Sequence, residues 1–266
     1  MQDDAFKLSI IAQKAGRAIL EVKSDFHTGD MQLKRDGSPV TLADLRAHEV
    51  IVEALQVMDS NIPIVSEEGV VGDPSSCSIA YLVDPLDGTK EFIRGNGMYT
   101  VNIALMERRD GLRWSPILGV VHAPELGATW LGGIHANATR QDRNGIRDIS
   151  IGRFGKNPVI VGSVSHSSPR DLDFANDVGE HTFEGVGSSI KICRVAEGTA
   201  DLAPRFGTTS CWDTAAAHAV LNAAGGRILR PDGVELDYDI VDQILNPWFL
   251  ATSDSRWDNL WISHQV

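Results

Sequence analysis

Apolar positions recur at helical spacing over residues 5–22, where Phe6, Leu8, Ile10, Ile11, Ala15, Ala18, Ile19 and Val22 fall largely on one face. A second helix is predicted over residues 42–58, after the loop Asp36-Gly37-Ser38-Pro39, with Thr41 as its N-cap. The pattern then shortens into β-rich pieces at 62–65, 79–83, 99–106, 117–121 and 129–131. Around residues 141–155 the chain turns polar and basic, with Arg140, Arg143, Arg147 and Arg153 in and beside the stretch. That shift predicts a soft boundary between subdomains 1–150 and 151–266. Beyond it, strand 159–162 precedes a helix opened by Ser168-Pro169, and helix 188–197 ends at Gly198. Helix 213–224 is stopped by Gly225-Gly226, and strands 227–229 and 249–252 lead to a terminal helix over 254–263. No internal repeat interrupts this. The expected fold is mixed α/β, with two coupled halves.

Charge narrows the function classes. The 266 residues carry 24 Lys plus Arg against 36 Asp plus Glu, a net charge of −12. Such a chain is a poor binder of polymeric nucleic acid, since phosphate affinity comes mainly from clustered cations. A polybasic membrane contact is equally disfavoured, which leaves peripheral association through a partner open. Solubility alone accounts for most of the surplus. A composition of 42% hydrophobic and 23% charged residues is that of a folded chain with a sizeable core. No apolar run approaches the roughly 18 residues of a membrane span. The start Met1-Gln2-Asp3-Asp4 is unlike a secretory signal. Cys77, Cys193 and Cys211, widely spaced, form neither a disulfide framework nor a zinc motif. The expected compartment is the reducing cytoplasm.

Three acidic clusters carry candidate chemistry. Ser66-Glu67-Glu68-Gly69 follows one β-like run, Asp84-Pro85-Leu86-Asp87-Gly88-Thr89 follows another, and Trp212-Asp213 opens the Ala-rich helix. Pro85 fixes φ, and a tight turn there would aim Asp84 and Asp87 to one side and turn the Leu86 carbonyl toward the same point. Hard oxygen donors of this kind suit Mg²⁺. Taken singly, Asp213 reads as a helix cap and Glu67-Glu68 as a solvated loop. The full arrangement Asp84 to Thr89 is harder to explain as a solvated turn. Gly95-Asn96-Gly97 lacks the context of a dinucleotide fingerprint, and no P-loop, HExxH or GxSxG motif occurs. Trp248, Trp257 and Trp261 are expected to pack the C-terminal helix rather than stack on bases.

The runs EEG, LVDPLDGT and WDTAAAHAVLNAAGG together resemble the three signatures of the Mg²⁺-dependent, lithium-sensitive phosphatases of the inositol monophosphatase superfamily. The similarity extends from Asp36 to Pro247. It implies the layered αβαβα sandwich of the inositol monophosphatase and sugar phosphatase type. Asp87-Gly88-Thr89-Lys90-Glu91-Phe92, Gly187-Ser188-Ser189-Ile190-Lys191 and Pro204-Arg205-Phe206-Gly207 are similar to the 3′(2′),5′-bisphosphate nucleotidases of the CysQ type. So is Ser163-Val164-Ser165-His166. Tyr81, where Trp is usual, and Cys211, where larger residues are frequent, depart mildly from the pattern and leave substrate preference more open.

The resemblance implies a set of roles. Glu67, Asp84 and the Leu86 carbonyl would hold one Mg²⁺, and Asp84, Asp87 and Asp213 a second, with Asp84 bridging. A third, weaker ion would sit near Glu67. Thr89 and Asp44 would orient the attacking water, with Asp44 alternatively a first-turn helix acid favoured by the macrodipole. The Gly88 and Thr89 amides would bind phosphate, and Glu67, Leu86, Asp87 and Asp213 belong with the substrate-binding set as well. Lys191 and Arg205 would take the second, non-scissile phosphate, with a solvated Lys and a structural Arg as the plainer readings. His166 would contact base or ribose, or lie on a surface loop. Ser188 or Ser189 would bind phosphate or cap a helix. The implied reaction is hydrolysis of the 3′-phosphate of adenosine 3′,5′-bisphosphate to AMP and phosphate. The sulfated analogue, and with it sulfate assimilation, comes into view as well. The rivals are an inositol-1-phosphate or sugar monophosphate phosphatase with the same metal centre, and a non-catalytic scaffold. A monomer and a homodimer are both compatible with the sequence.

Overall fold

The apolar stripe of the N-terminus folds as α1 (Gln2–Asp25), and a two-stranded ribbon of β1 (Gln32–Leu33) and β2 (Pro39–Val40) leads into α2 (Leu42–Met58). The computed structural model describes residues 2–25, 32–33, 39–109, 111, 113–152, 157–163 and 169–264. His166 therefore lies outside the described residues. Helix α2 starts where expected because Thr41 is extended and its hydroxyl accepts from the Ala43 amide at 3.1 Å.

The next elements are β3 (Ile64–Ser66), β4 (Gly69–Val71), β5 (Ile79–Asp87), α3 (Thr89–Arg94), β6 (Thr100–Arg108), β7 (Trp114–Ala123), β8 (Ala128–Gly133), β9 (Ala136–Asp142) and β10 (Gly145–Asp148). Their strands form one sheet in the order β10-β9-β8-β7-β6-β5-β3-β4, antiparallel except for the β3–β5 pair. The remaining chain gives β11 (Val159–Ser163), α4 (Pro169–Val178), β12 (Thr182–Val186), α5 (Ile190–Ala196), β13 (Leu202–Arg205), α6 (Cys211–Ala223), β14 (Arg227–Leu229), β15 (Phe249–Thr252) and α7 (Asp258–Ser263). A second sheet runs β12-β11-β13-β15-β14, with β11 parallel to both its neighbours.

Alternation along the strands builds the layers. On β5, Tyr81 and Val83 face α1 and α2, packing with Leu8, Ala12, Ile19 and Ile51. Ala80 and Leu82 face the other way, into a core shared with Cys193 of α5, Ala215 and Val220 of α6, and Val161, Ala203 and Ala251 of the second sheet. The far face of that sheet, with Ile160, Leu202 and Leu250, packs on Phe174 of α4 and Trp261 of α7. The five layers are helix, sheet, helix, sheet, helix. Trp248 and Trp257 pack on this last core, beside the terminal helix as expected.

Two close approaches set the middle layer. A Cβ at Gly119 on β7 would stand 2.0 Å from the Ala216 carbonyl oxygen, and one at Gly132 on β8 would stand 2.9 Å from Val220 Cα. Helix α6 thus lies directly on the sheet backbone.

The structure differs from the sequence reading at Pro85. Instead of ending in a tight turn, β5 continues to Asp87, and its register against β6 shifts between Asp84 and Asp87. A proline can occupy an internal strand at such an irregularity because the ladder is already interrupted there. The polar stretch read as a boundary also begins inside regular structure. β9 and β10 pair as a hairpin across Asp142 and Gly145, held at the sheet edge where polar residues are tolerated on both faces.

Candidate active site

The three acidic clusters converge. Asp84, Asp87 and Asp213 each offer a carboxylate oxygen within 4.8 Å of the others'. Asp84 is buried, and Asp87 and Asp213 are half-buried. The β5 irregularity delivers Asp84 and Asp87 to one place, and the start of α6 brings Asp213 from the other half of the chain. Asp84 Oδ1 accepts from the Leu86 amide at 3.0 Å. Asp213 occupies the third position of α6, and its Oδ2 accepts from the Ser210 amide at 2.9 Å. Asp213 is thus a capping acid and a member of the cluster at once.

Crowding shows in the acidities. Burial, reinforced by the charges of Glu67, Asp87, Asp213 and Asp44, pushes Asp84 well above the carboxylate range. Burial and then the Asp87 charge raise Asp213 to about 8. Asp87 is raised by burial to about 6, held back by the Lys191 charge and the Ser189 amide. Three hard carboxylates that repel one another in a buried place suit a divalent cation bound through oxygen.

Around this cluster lies a cavity of about 260 Å³. Glu67, Asp87, Gly88, Thr89, Ser188, Lys191, Arg205 and Asp213 all line it, so most of the expected site residues share one space. Glu67 follows β3, and its amide donates to the Val83 carbonyl at 3.1 Å, which holds it beside β5. Gly88 has φ 95 and caps α3, so Thr89 begins a short helix at the cavity wall. Thr89 Oγ1 donates to Asp44 Oδ1 at 3.1 Å and stands 3.4 Å from the Leu86 carbonyl. Asp44 is buried, which raises it to about 6 against the hydrogen bonds from Thr41 and Thr89.

Two basic residues line the same cavity as Asp87 and Asp213. Lys191 Nζ donates to the Ser188 carbonyl at 2.7 Å and the Val186 carbonyl at 3.3 Å, and burial lowers its pKa to about 8. Arg205 is 9% exposed and donates from Nη2 to the Thr208 carbonyl at 3.1 Å. Lys191 is therefore not a solvated helix residue, since its ammonium is tied to backbone oxygens at the cavity.

Sequence reasoning missed three residues here, Thr100, Asn102 and His48. Asn102 and Ser189 bond to each other and to Asp87, and Thr100 bonds to Ser189. His48, one turn after Asp44 on α2, has Nδ1 2.9 Å from the Ser66 hydroxyl, next to Glu67. The available signal was a pair of polar residues, Thr100 and Asn102, inside an otherwise apolar strand. His48 gave no signal of its own.

A layered sandwich of this topology around a carboxylate cluster is the architecture of metal-dependent phosphomonoesterases. The chain belongs to the inositol monophosphatase family, whose profile matches residues 2–263. Members of that family are metal-dependent, in keeping with the acidic cluster. The chain is 42% identical over 248 residues to the 3′(2′),5′-bisphosphate nucleotidase CysQ of Salmonella typhimurium, covering 91% of this chain and 96% of that one. Its namesake from Escherichia coli K12 is 41% identical over 245 residues, covering 90% and 95%. The crystal structure of CysQ from Bacteroides thetaiotaomicron, a bacterial member of the same family, superposes with a TM-score of 0.82 at 33% identity, covering 95% of this chain and 97% of that one.

Proposed function

We propose that the protein is a 3′(2′),5′-bisphosphate nucleotidase that hydrolyses the 3′-phosphate of adenosine 3′,5′-bisphosphate to AMP and phosphate. The observation that carries this reading is that one cavity is lined both by Asp87 and Asp213 of the carboxylate cluster and by the cations Lys191 and Arg205. A substrate with two phosphates could engage the carboxylate-bound cation and these two side chains together. An inositol monophosphate offers a single phosphate and so makes less use of two cations in the same cavity, and that alternative fits less well. Identity of 41–42% to bisphosphate nucleotidases over most of both chains supports the same choice.

In this reading Glu67, Asp84, the Leu86 carbonyl, Asp87 and Asp213 hold Mg²⁺. Held by these residues, Mg²⁺ would supply positive charge against the phosphoryl oxygens and the leaving ribose oxygen. Thr89 Oγ1 donates its proton to Asp44 and so presents a lone pair to the attacking water, fixing its orientation. Asp44 Oδ1 stands at the end of that relay and takes up the water's proton as the new P–O bond forms and the P–O3′ bond breaks, and a solvent water protonates O3′ to give the 3′-hydroxyl of AMP. The amides of Gly88 and Thr89 receive phosphate oxygens. Lys191, Arg205 and the Ser188 hydroxyl bind the second phosphate, and His166 contacts base or ribose. Residues 1–150 supply most of the cation ligands and 151–266 supply Asp213 and the second-phosphate site. A reducing compartment suits three cysteines without disulfide partners, and we place the protein in the cytoplasm. Among the described residues no helix is long and apolar enough to cross a membrane.

The test is phosphate release from adenosine 3′,5′-bisphosphate beside inositol 1-phosphate, with Mg²⁺ present or removed and with lithium added. Mg²⁺-dependent, lithium-inhibited preference for the bisphosphate is expected. Preference for the inositol ester overturns the substrate assignment.

A further inference from the structure

Asp87 and segment 187–191 come from opposite halves of the chain and meet in a closed ring of hydrogen bonds. The Ser189 amide donates to Asp87 Oδ2 at 2.6 Å, and Asn102 Nδ2 donates to the same oxygen at 3.4 Å. The Ser189 hydroxyl closes the ring by donating to Asn102 Oδ1 at 2.8 Å. That uses its single proton. Thr100 Oγ1, 2.8 Å from Ser189 Oγ, must then be the donor in their contact. Thr100, Asn102 and Ser189 are all buried, so water does not compete for these bonds.

The neighbouring Ser188 adds a second observation. It has φ 47, in the left-handed region, where a non-glycine residue is held only by its surroundings. Its hydroxyl is covered, meets no partner among the described residues, and belongs to a residue lining the cavity. Lys191 Nζ bonds the Ser188 carbonyl. One short segment therefore carries two groups suited to a phosphate and, through the next amide, grips Asp87.

We propose that Thr100, Asn102 and Ser189 are positioning residues that couple cation binding at Asp87 to phosphate binding at Ser188 and Lys191, each ligand tightening the other. The inference rests on the nucleotide reading above and deepens it. A phosphate on Ser188 and Lys191 fixes the strained segment in the conformation that seats the Ser189 amide on Asp87. The carboxylate is then already oriented when the cation arrives, and linkage makes the effect reciprocal.

The probe pair is Mn²⁺ and 5′-AMP, which lacks the 3′-phosphate and so cannot bridge to the cation directly. Calorimetry on the metal-stripped full chain measures the Mn²⁺ affinity with and without saturating AMP. AMP should tighten Mn²⁺ binding by about five- to tenfold in the unmodified protein. Ser189→Ala, which keeps its amide, and the near-isosteric Thr100→Val should reduce that factor to about twofold or less, while Thr100→Ser restores it. Unchanged melting temperatures show that each variant is folded. Full coupling in both variants, or none in the unmodified protein although AMP binds, overturns the coupling and leaves the nucleotide reading in place. Failure of AMP to bind at all overturns both.

Discussion

The hydroxyl of Thr89 reaches one oxygen of Asp44 at 3.1 Å while the other oxygen of Asp44 receives the Thr41 amide and hydroxyl, each at 2.7 Å. Asp44 thus caps α2 through one oxygen and keeps the other on Thr89, where the proposed relay would run. Asp44→Asn can keep its carbonyl on the cap, which turns its NH₂ toward Thr89 and reverses that hydrogen bond. We expect kcat to fall by ~10²–10⁴. Stability should change by about 1 kcal/mol or less, because the cap acceptor survives. Steady-state kinetics beside a thermal melt check this. Near-normal turnover would remove Asp44 and Thr89 from the chemistry.

Repulsion within the acidic cluster predicts a trade of stability for function. Asp84 is buried among Glu67, Asp87, Asp213 and Asp44, all of which disfavour its charge. Asp84→Asn removes that charge at nearly constant volume. The metal-free variant should melt ~2–5 °C higher than the unmodified protein, for a gain on the order of 1 kcal/mol. It should also lose both turnover and the extra stability that Mg²⁺ confers. Retained Mg²⁺ stabilisation would reject a bridging ligand at Asp84.

The pH dependence of the metal-free protein has a definite sign. Asp44 and Asp87 are raised from 3.8 to about 6, and Asp213 from 3.8 to about 8. Through the window of Asp44 and Asp87 these carboxyls hold protons that the unfolded chain has released. Together with Asp213 they outnumber His122, which burial lowers to about 4 and which acts in the opposite sense, so stability falls as pH rises. In a chelator the melting temperature should decline from about pH 5 to about 7.5, whereas nearer pH 8 Lys191, lowered to about 8, offsets Asp213. Saturating Mg²⁺ should flatten that decline, because the ion takes the place of the protons. A rising or flat profile in the chelator would contradict it.

Gly119 ties the site to the core. Its absent side chain lets α6 rest on β7 with the Ala216 carbonyl where a Cβ would go, only 2.0 Å away. Gly119→Ala must move backbone against backbone, with no flexible side chain to yield, and should cost ~2–4 kcal/mol. Any folded fraction should show weakened Mg²⁺ affinity, since Asp213 rides on α6. Ser75→Ala, far from this contact, serves as the comparison. An unshifted denaturation midpoint for Gly119→Ala would mean that α6 can slide freely.

Legibility in the sequence followed the range of the interactions involved. Helix α2 was readable to the residue because Thr41, Asp44 and the apolar stripe are local signals. The carboxylates were readable because Asp84 and Asp87 share one strand end and Asp213 opens a helix. The ring of Asn102, Thr100 and Ser189 was not, because its members become neighbours only when β6 meets the start of α5. Strand β5 was expected over residues 79–83 with a turn at Pro85, whereas pairing with β6 on the far side of the irregularity carries it to Asp87. β12 was missed for another reason, as its half-exposed residues show no clean alternation.

If Arg205 and Lys191 bind the second phosphate as proposed, kinetics can separate their contributions. Arg205 offers a planar fork that Lys cannot reproduce, so Arg205→Lys should raise KM for the bisphosphate by about tenfold while leaving a simple phosphomonoester almost unaffected. Equal effects on both esters would make Arg205 a structural partner of the neighbouring carboxylates. Lys191 behaves differently because burial lowers it to about 8. A lowered pKa means that the free site loses this cation as pH rises through 8, and a bound phosphate has to restore the proton. KM for the bisphosphate should therefore climb above pH 8, with kcat changing less. Lys191→Met should give a high KM that no longer varies over that limb. If the limb persists unchanged in Lys191→Met, another group governs it, and Lys191 does not bind the second phosphate.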